Sequence, residues 1–550
     1  MLRSRMVSGA LLVLTAVLAS CTNLKVTNPN VLDARSAIPD AATAEAVVGG
    51  AFNTWFDAAN GYWGAGMLLS TTAFQYSTPY CQASHYSWLP RRPVDDEASG
   101  YGGWVTYPWY TLYEALTSVA EGLLAVESRP ELESELGEAG TQRIMAFGRF
   151  VQGLSHGTLA LLYDRGVVLN EEVAHDETGQ REMLSYDDLM ATALSELEEA
   201  AALAQGKSWE IPADWTTVPV SADQLARLAH SFAARFRAAV ARTPEERAAV
   251  DWGAVIADVD EGIQEPWIMD MDPTQGWSLS ALEYGTRVAW SEQAYFVVGM
   301  ADQSGNYQRW LSIPVVDRVP NPDADGDGVE DPILIITPDT RFPQGTTLAE
   351  QEANPGSMFA IPDGLQGQVG GQDRAWNIED IWQQAPRGTW RWSYYWDLAG
   401  EAYNNSVDRN WPEVSLAEMR LLRAEGMLRR GDAAGAAELV NISRTAAGLS
   451  PTDGSGTNQE CVPKLPDGTC GNLMEMLKWE KRLETRFKGL LGAPWYFDGR
   501  GWGDLYFGTF LQLPVPCSEL KIGPGIDCYT FGAGGESSAP RSVYMWPYES

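Results

Sequence analysis

The stretch Ser415–Gly448, SLAEMRLLRAEGMLRRGDAAGAAELVNISRTAAG, constrains this chain more than any other. Leu416, Met419, Leu422, Ala424, Met427 and Leu428 recur at helical spacing, and the charges lie mostly off that stripe. Ser415 ahead of the run and Glu418 three residues on fit a capping box. Gly431-Asp432 breaks the run, and a second amphipathic segment follows with Ala434, Ala437, Leu439 and Val440. Gly448 is the expected stop, because glycine adopts the left-handed conformation that ends helices. Alanines at the crossing let the two predicted helices approach closely. A lone helical hairpin cannot bury its own apolar face, so this one needs stacked neighbours.

Length, turn and alanine positions make the hairpin similar to a tetratricopeptide unit. An isolated hairpin in another all-α fold is the alternative from this stretch alone. Further helices are expected at Ala41–Ala58, Trp109–Glu127, Thr141–Tyr163, Tyr186–Ala204, Ala222–Ala241, Trp252–Gly262 and Asn472–Leu491. Their spacing pairs them, so the expected fold is mainly α, with about four tetratricopeptide-like helix pairs. Residues 60–103, rich in Gly, Pro, Tyr and Trp, read as a long surface excursion. Residues 266–411 show no helical repeat and read as a large irregular insertion with minor β, for example at Pro332–Thr337 (PILIIT). The organisation expected is a signal peptide at 1–20, a lipidated N-terminus and tether at 21–40, and one domain at 41–550. Within that domain the scaffold occupies 41–265 and 412–491, and a tail occupies 492–550.

Charge narrows the function. The chain has 39 Lys+Arg against 73 Asp+Glu, a formal net charge of −34, which argues against nucleic acid as a partner. The 22 Trp and 21 Tyr are unusually many; part of that excess is core, and such rings also make flat binding platforms. Arg3 and Arg5 precede a short apolar run, Val7–Leu18, too short to span a bilayer comfortably. It ends Leu18-Ala19-Ser20-Cys21, which resembles the bacterial lipobox, in which the cysteine is lipidated and becomes the mature N-terminus. Several acyl chains on Cys21 suffice for stable anchoring. Thr22 is not the aspartate associated with inner-membrane retention, so the resemblance favours the outer membrane.

Several motifs then fall in one order. They are Val26-Thr27-Asn28-Pro29-Asn30 after the lipobox, Pro338-Asp339-Thr340-Arg341-Phe342, and Arg423-Ala424-Glu425 with Gly431-Asp432, Asn441, Arg444 and Ala447-Gly448-Leu449. Glu480-Lys481-Arg482-Leu483-Glu484, Phe497-Asp498 and Arg500-Gly501-Trp502-Gly503 complete the series. Together they resemble the SusD/RagB family of outer-membrane lipoproteins. The resemblance implies a non-enzymatic nutrient-binding protein that captures a glycan, or another nutrient, and caps a TonB-dependent (SusC-like) outer-membrane transporter. It also places the ligand site in the loop between the first two helices and in a segment after the third pair. The candidates there are Gln75, Tyr76, Tyr86, Trp88 and Arg91, with Tyr307, Arg309 and Trp310. A ring covers the apolar face of a sugar, while Arg or Gln bonds its hydroxyls. Trp390–Trp396 adjoins the fourth pair and reads as packing.

Other motifs stand apart from that family pattern. Asp323, Asp325, Asp327, the Val329 carbonyl and Asp331 gather hard oxygens around one point, as calcium requires, with Gly328 permitting the turn. Position 12 of an EF-hand would be Leu334, so the match is to shorter aspartate loops, and a solvated acidic turn is the alternative. In an exported chain Cys461 with Cys470, and Cys517 with Cys528, are expected disulfides, although four cysteines allow three connectivities. Cys81 is left without an assigned partner. Gly153-Leu154-Ser155-His156-Gly157 matches the hydrolase elbow, but it lies inside an expected helix, where small residues serve packing. A glycan-degrading enzyme on a helical scaffold, or a helical-repeat adaptor without a small ligand, are the competing readings.

Overall fold

A computed structural model describes residues 37–78, 82–88, 91–94, 102–174, 182–286, 291–314, 333–361, 393–405, 409–489, 494–522 and 525–541. Helix ends follow the local chemistry. The Asp40 carboxylate accepts the Thr43 N–H at 2.8 Å and opens α1 (Ala41–Asn60). After α2 (Ala65–Thr72) come α3 (Gly103–Ser128) and α4 (Pro130–Leu162). Ser185 caps α5 (Tyr186–Ala204), Ser221 caps α6 (Ala222–Ala239), and Asp251 caps α7 (Trp252–Glu261). Ser415, Asp432 and Asn472 cap α8 (Leu416–Arg429), α9 (Ala433–Ala446) and α10 (Leu473–Glu484). A last helix, α11, spans Pro494–Trp502.

Each long helix packs on its predecessor: α1 on α3, α3 on α4, α4 on α5, and so on through α9. The pairs are α1/α3, α4/α5, α6/α7 and α8/α9, and α10 closes the stack against the last of them. Glycines set the closest approaches. A Cβ on Gly153 would lie 2.7 Å from the Leu197 Cγ and 3.0 Å from the Ala193 carbonyl oxygen, and one on Gly157 would enter the Phe236 ring. The glycine-serine-glycine motif is therefore the surface where α4 meets α5 and α6. Ser155 is itself fully buried there, inside the helix.

The ends of the irregular region meet. β1 (Trp267–Asp270) pairs antiparallel with β2 (Asn410–Val414), so the segment between them is carried on a two-stranded stem. Three further two-stranded pairs complete the strands among the described residues.

Three expectations are corrected. Residues 60–103 are not simply a surface excursion: every residue of α2 is buried, so no polar stripe marked it as a helix. Ile333–Thr337 is not a strand. Its backbone is satisfied by side chains instead, with Ile335 N–H donating to Tyr395 Oη at 2.7 Å and Ile336 N–H to Asp302 Oδ1 at 3.1 Å. The capping box at α8 is half present. Ser415 Oγ accepts the Glu418 N–H at 3.2 Å, but the Glu418 carboxylate bonds Arg235 Nε and Nη2 at 2.7 and 2.8 Å.

Candidate ligand-binding surface

Most rings proposed from the sequence as a platform lie in the interior. Tyr76 and Tyr307 are fully buried, as is Trp310, and Tyr86 and Gln75 are nearly so. Tyr307, Trp310, Tyr295 and Phe296 pack on one another, with centroid separations of 4.8–6.1 Å. Arg91 is buried between the Phe74 and Tyr506 rings, 4.8 and 4.7 Å from their centroids, and donates to the Tyr86 and Thr72 carbonyls. Burial lowers its guanidinium to about 10. These residues shape the core and cannot face a ligand in this conformation. Trp88 is half-buried beside His85 and Arg92, and Arg309 is exposed. Only these two of the eight candidates remain accessible.

A different group of rings reaches the surface. Gly61 ends α1 by donating its N–H to the Asp57 carbonyl, and Tyr62 and Trp63 follow directly. Tyr62 is 37% exposed and Trp63 is half-buried. Trp104, at the start of α3, lies beneath both, with centroids 5.7 Å from Tyr62 and 4.7 Å from Trp63. Tyr284 joins from the short helix Ser280–Gly285 at 5.4 Å from Tyr62. Gly103 gives Trp63 room, since a Cβ there would sit 3.1 Å from its ring. One turn along α3 from Gly103, the Tyr107 hydroxyl donates to Asp57 Oδ2 in a hydrogen bond that ties α3 to α1. Burial first, then that bond, pushes the Tyr107 phenol up to about 12. The result is a partly exposed aromatic surface with a carboxylate at its margin. An aromatic pair directly after a helix stop, between Gly61 and Gly64, was the sequence signal for it.

No protein-family model matches the sequence, and no curated protein aligns with it significantly. Solved structures do resemble it. A SusD homolog from Parabacteroides distasonis superposes with a TM-score of 0.50 over 83% of this chain and 84% of that one, at 12% identity. The chain has a SusD-type fold. A SusD homolog from Bacteroides thetaiotaomicron gives a TM-score of 0.48 at 13% identity, covering 89% of this chain and 97% of that one. A SusD-like carbohydrate binding protein from Bacteroides vulgatus also gives 0.48 at 14% identity, over 93% and 95%.

Within this SusD-type fold the sequence motifs that fall on described residues form buried internal clasps. Arg341 of the Pro338–Phe342 motif donates to both Asp339 oxygens at 2.9 and 2.7 Å and to Glu480 at 2.6 Å, so the irregular region is locked onto α10. Thr340 N–H bonds the Ala447 carbonyl at 2.9 Å, next to the end of α9. Asp498 accepts from Arg247 and Lys481 at 2.8 and 3.0 Å. Asp504 pairs with Arg482 at 2.6 Å, and the Trp502 indole donates to Glu425 at 3.0 Å. A crevice beside these residues is walled by Phe296, Trp479, Trp495 and Leu483.

Cys461 is joined to Cys470 and Cys517 to Cys528, with Cα separations of 4.7 and 5.2 Å. Cys21 and Cys81 lie outside the described residues, as do Asp323, Asp325, Asp327, Val329 and Asp331. Among the described residues no cluster of His, Cys, Asp or Glu is arranged to hold a metal, and no helix is long and apolar enough to cross a membrane.

Proposed function

We propose that this chain is a SusD/RagB-type nutrient-binding lipoprotein of the bacterial outer membrane. It captures a glycan without chemistry and presents it to a TonB-dependent transporter. The observation that carries the glycan reading is the partly exposed surface of Tyr62, Trp63 and Tyr284 over Trp104. It lies where the first helix ends and the irregular region begins, and two packed helices hold it in place. Such rings fit the apolar C–H face of a sugar, and their positions are fixed before a ligand arrives. The SusD-type fold supports the family assignment. The lipobox resemblance at Cys21 supports the anchor, and the acidic composition is consistent with a surface that binds no nucleic acid.

The test is incubation of the purified mature chain with a panel of plant and microbial polysaccharides, followed by native affinity electrophoresis and product analysis. Retardation by at least one polysaccharide, with no product and with loss in Tyr62→Ala and Trp63→Ala, is the expected result. Product formation would favour an enzyme instead. Absence of any retention would favour an adaptor.

A further inference from the structure

Asp57 sits in the last turn of α1. A helix C-terminus carries partial negative charge, so a carboxylate there is electrostatically unfavourable for the helix. Lysine, arginine or a neutral residue would suit the position better. The carboxylate is nevertheless held in place. Oδ2 accepts the Tyr107 hydroxyl from the neighbouring helix. Gly61 keeps the space beside it open, since a Cβ at that residue would lie 2.8 Å from the Asp57 Cγ. Asp57 is half-buried, and its other oxygen lies beside Gly61, the residue directly before Tyr62. A charged acceptor is thus fixed beside the aromatic surface, at a small cost to the helix that carries it.

Resting on the glycan-binding reading above, we propose that Asp57, positioned by Tyr107, reads a hydrogen-bond donor on the ligand. The sugar lying on Tyr62 and Trp63 therefore presents a hydroxyl or an amine at that edge, and not a carboxylate. A ligand hydroxyl donating to Asp57 makes a charge-assisted bond, stronger than a neutral pair. A uronate carboxylate at the same place would meet like charge at close range. The class favoured is a neutral or amino-bearing polysaccharide over a polyuronate.

Asp57→Asn keeps an amide oxygen that can accept the Tyr107 hydroxyl, so the tie between α3 and α1 survives while the charge offered to the ligand is lost. A purely structural role would instead lower the melting temperature and leave retention by the folded protein unchanged. The experiment compares wild type, Asp57→Asn, Tyr107→Phe and the double variant for retention by neutral polysaccharides and polyuronates, with melting temperature measured alongside. Asp57→Asn is expected to weaken retention by the neutral ligand about tenfold, in line with loss of a hydrogen bond to a charged group. Its melting temperature should not fall. It should also narrow the preference against polyuronate. Tyr107→Phe should weaken binding less, and should have no added effect in the Asp57→Asn background, because it acts through that carboxylate. Retention unchanged in Asp57→Asn but lost in Trp63→Ala overturns the role of Asp57 and leaves the glycan-binding reading standing. Stronger retention of polyuronate than of neutral polymer by wild type overturns the ligand class. No retention of any polymer by wild type overturns both readings.

Discussion

Arg247 and Glu425 meet through two parallel hydrogen bonds, Nε to Oε1 at 3.0 Å and Nη2 to Oε2 at 2.6 Å, with neither side chain exposed to solvent. The pair joins the short helix Pro244–Ala249 to α8, and Asp498 of α11 takes a further bond from the same guanidinium. Burial opposes both charges. The partners outweigh it, raising the Arg247 cation and holding the Glu425 carboxyl well below the usual carboxylate range. Arg423-Ala424-Glu425 and Phe497-Asp498, which resemble a family pattern in sequence, are therefore two sides of one clasp.

Breaking that clasp from one side should be costly. Arg247→Met leaves Glu425 and Asp498 buried together without their shared cation, at about 3–5 kcal/mol. Urea unfolding measures this as a lower midpoint with an unchanged slope. A midpoint within error of wild type would show that the pair contributes nothing net.

Glu413 predicts the opposite pH behaviour to Glu425. Arg235 gives its close bonds to Glu418 and reaches Glu413 Oε1 at 3.5 Å. Burial then pushes the Glu413 carboxyl up to about 8, from an ordinary 4.5. Above the ordinary value the unfolded chain releases this proton while the fold retains it. Stability is therefore lost as pH rises toward the folded value. For Glu425 the fold holds the carboxylate, so stability is lost as pH falls. Melting temperature should peak at mildly acidic pH and decline on both sides. Glu413→Gln should flatten the alkaline decline between about pH 6 and pH 8, and an equally steep decline in that variant would reject the assignment.

Helices were legible because their stripes and caps are local. Tyr186–Ala204 is the same span in sequence pattern and in structure, and Gly431-Asp432 turns where expected. The α2 helix was not legible, since a segment buried on all sides carries no periodic contrast. Ile333–Thr337 misled because its hydrogen-bond partners, Tyr395 and Asp302, are distant in sequence. The binding surface failed for a related reason. Tyr76 and Tyr62 lie fourteen positions apart in the same aromatic-rich region, and whether each is core or surface depends on how α2 folds between them.

Calcium is expected to raise the melting temperature through Asp323, Asp325, Asp327, the Val329 carbonyl and Asp331. Four aspartates and one backbone carbonyl at alternate positions within nine residues offer hard oxygen ligands, and we propose that millimolar calcium occupies them. Ligand binding to the folded state alone raises stability by RT ln(1 + L/Kd), where L is the free ligand concentration. Asp325→Ala should abolish the calcium-dependent shift and leave the melt in chelator unchanged. Identical wild-type melts in calcium and in chelator would remove the site.

Arg500 offers the clearest separation of charge from geometry. Its Nη1 donates to the Leu161 and Leu511 carbonyls at 2.9 and 2.7 Å, and its Nη2 to the Ala239 carbonyl at 3.0 Å. Leu161 and Ala239 lie at the C-terminal ends of α4 and α6, where carbonyls have no partner within the helix. Arg242 adds bonds to Ala160 and Tyr163 at 2.9 and 2.7 Å, so two guanidiniums close the end of α4. Burial lowers these cations to about 10 and about 9, and helix-end partial charges offset part of that cost. Arg500→Met should therefore destabilise by about 3 kcal/mol, roughly one for each hydrogen bond lost. Arg500→Lys keeps the charge but cannot span three carbonyls with a planar fork, so it should recover little of that loss. A lysine variant within about 0.5 kcal/mol of wild type would mean that charge alone closes these helices.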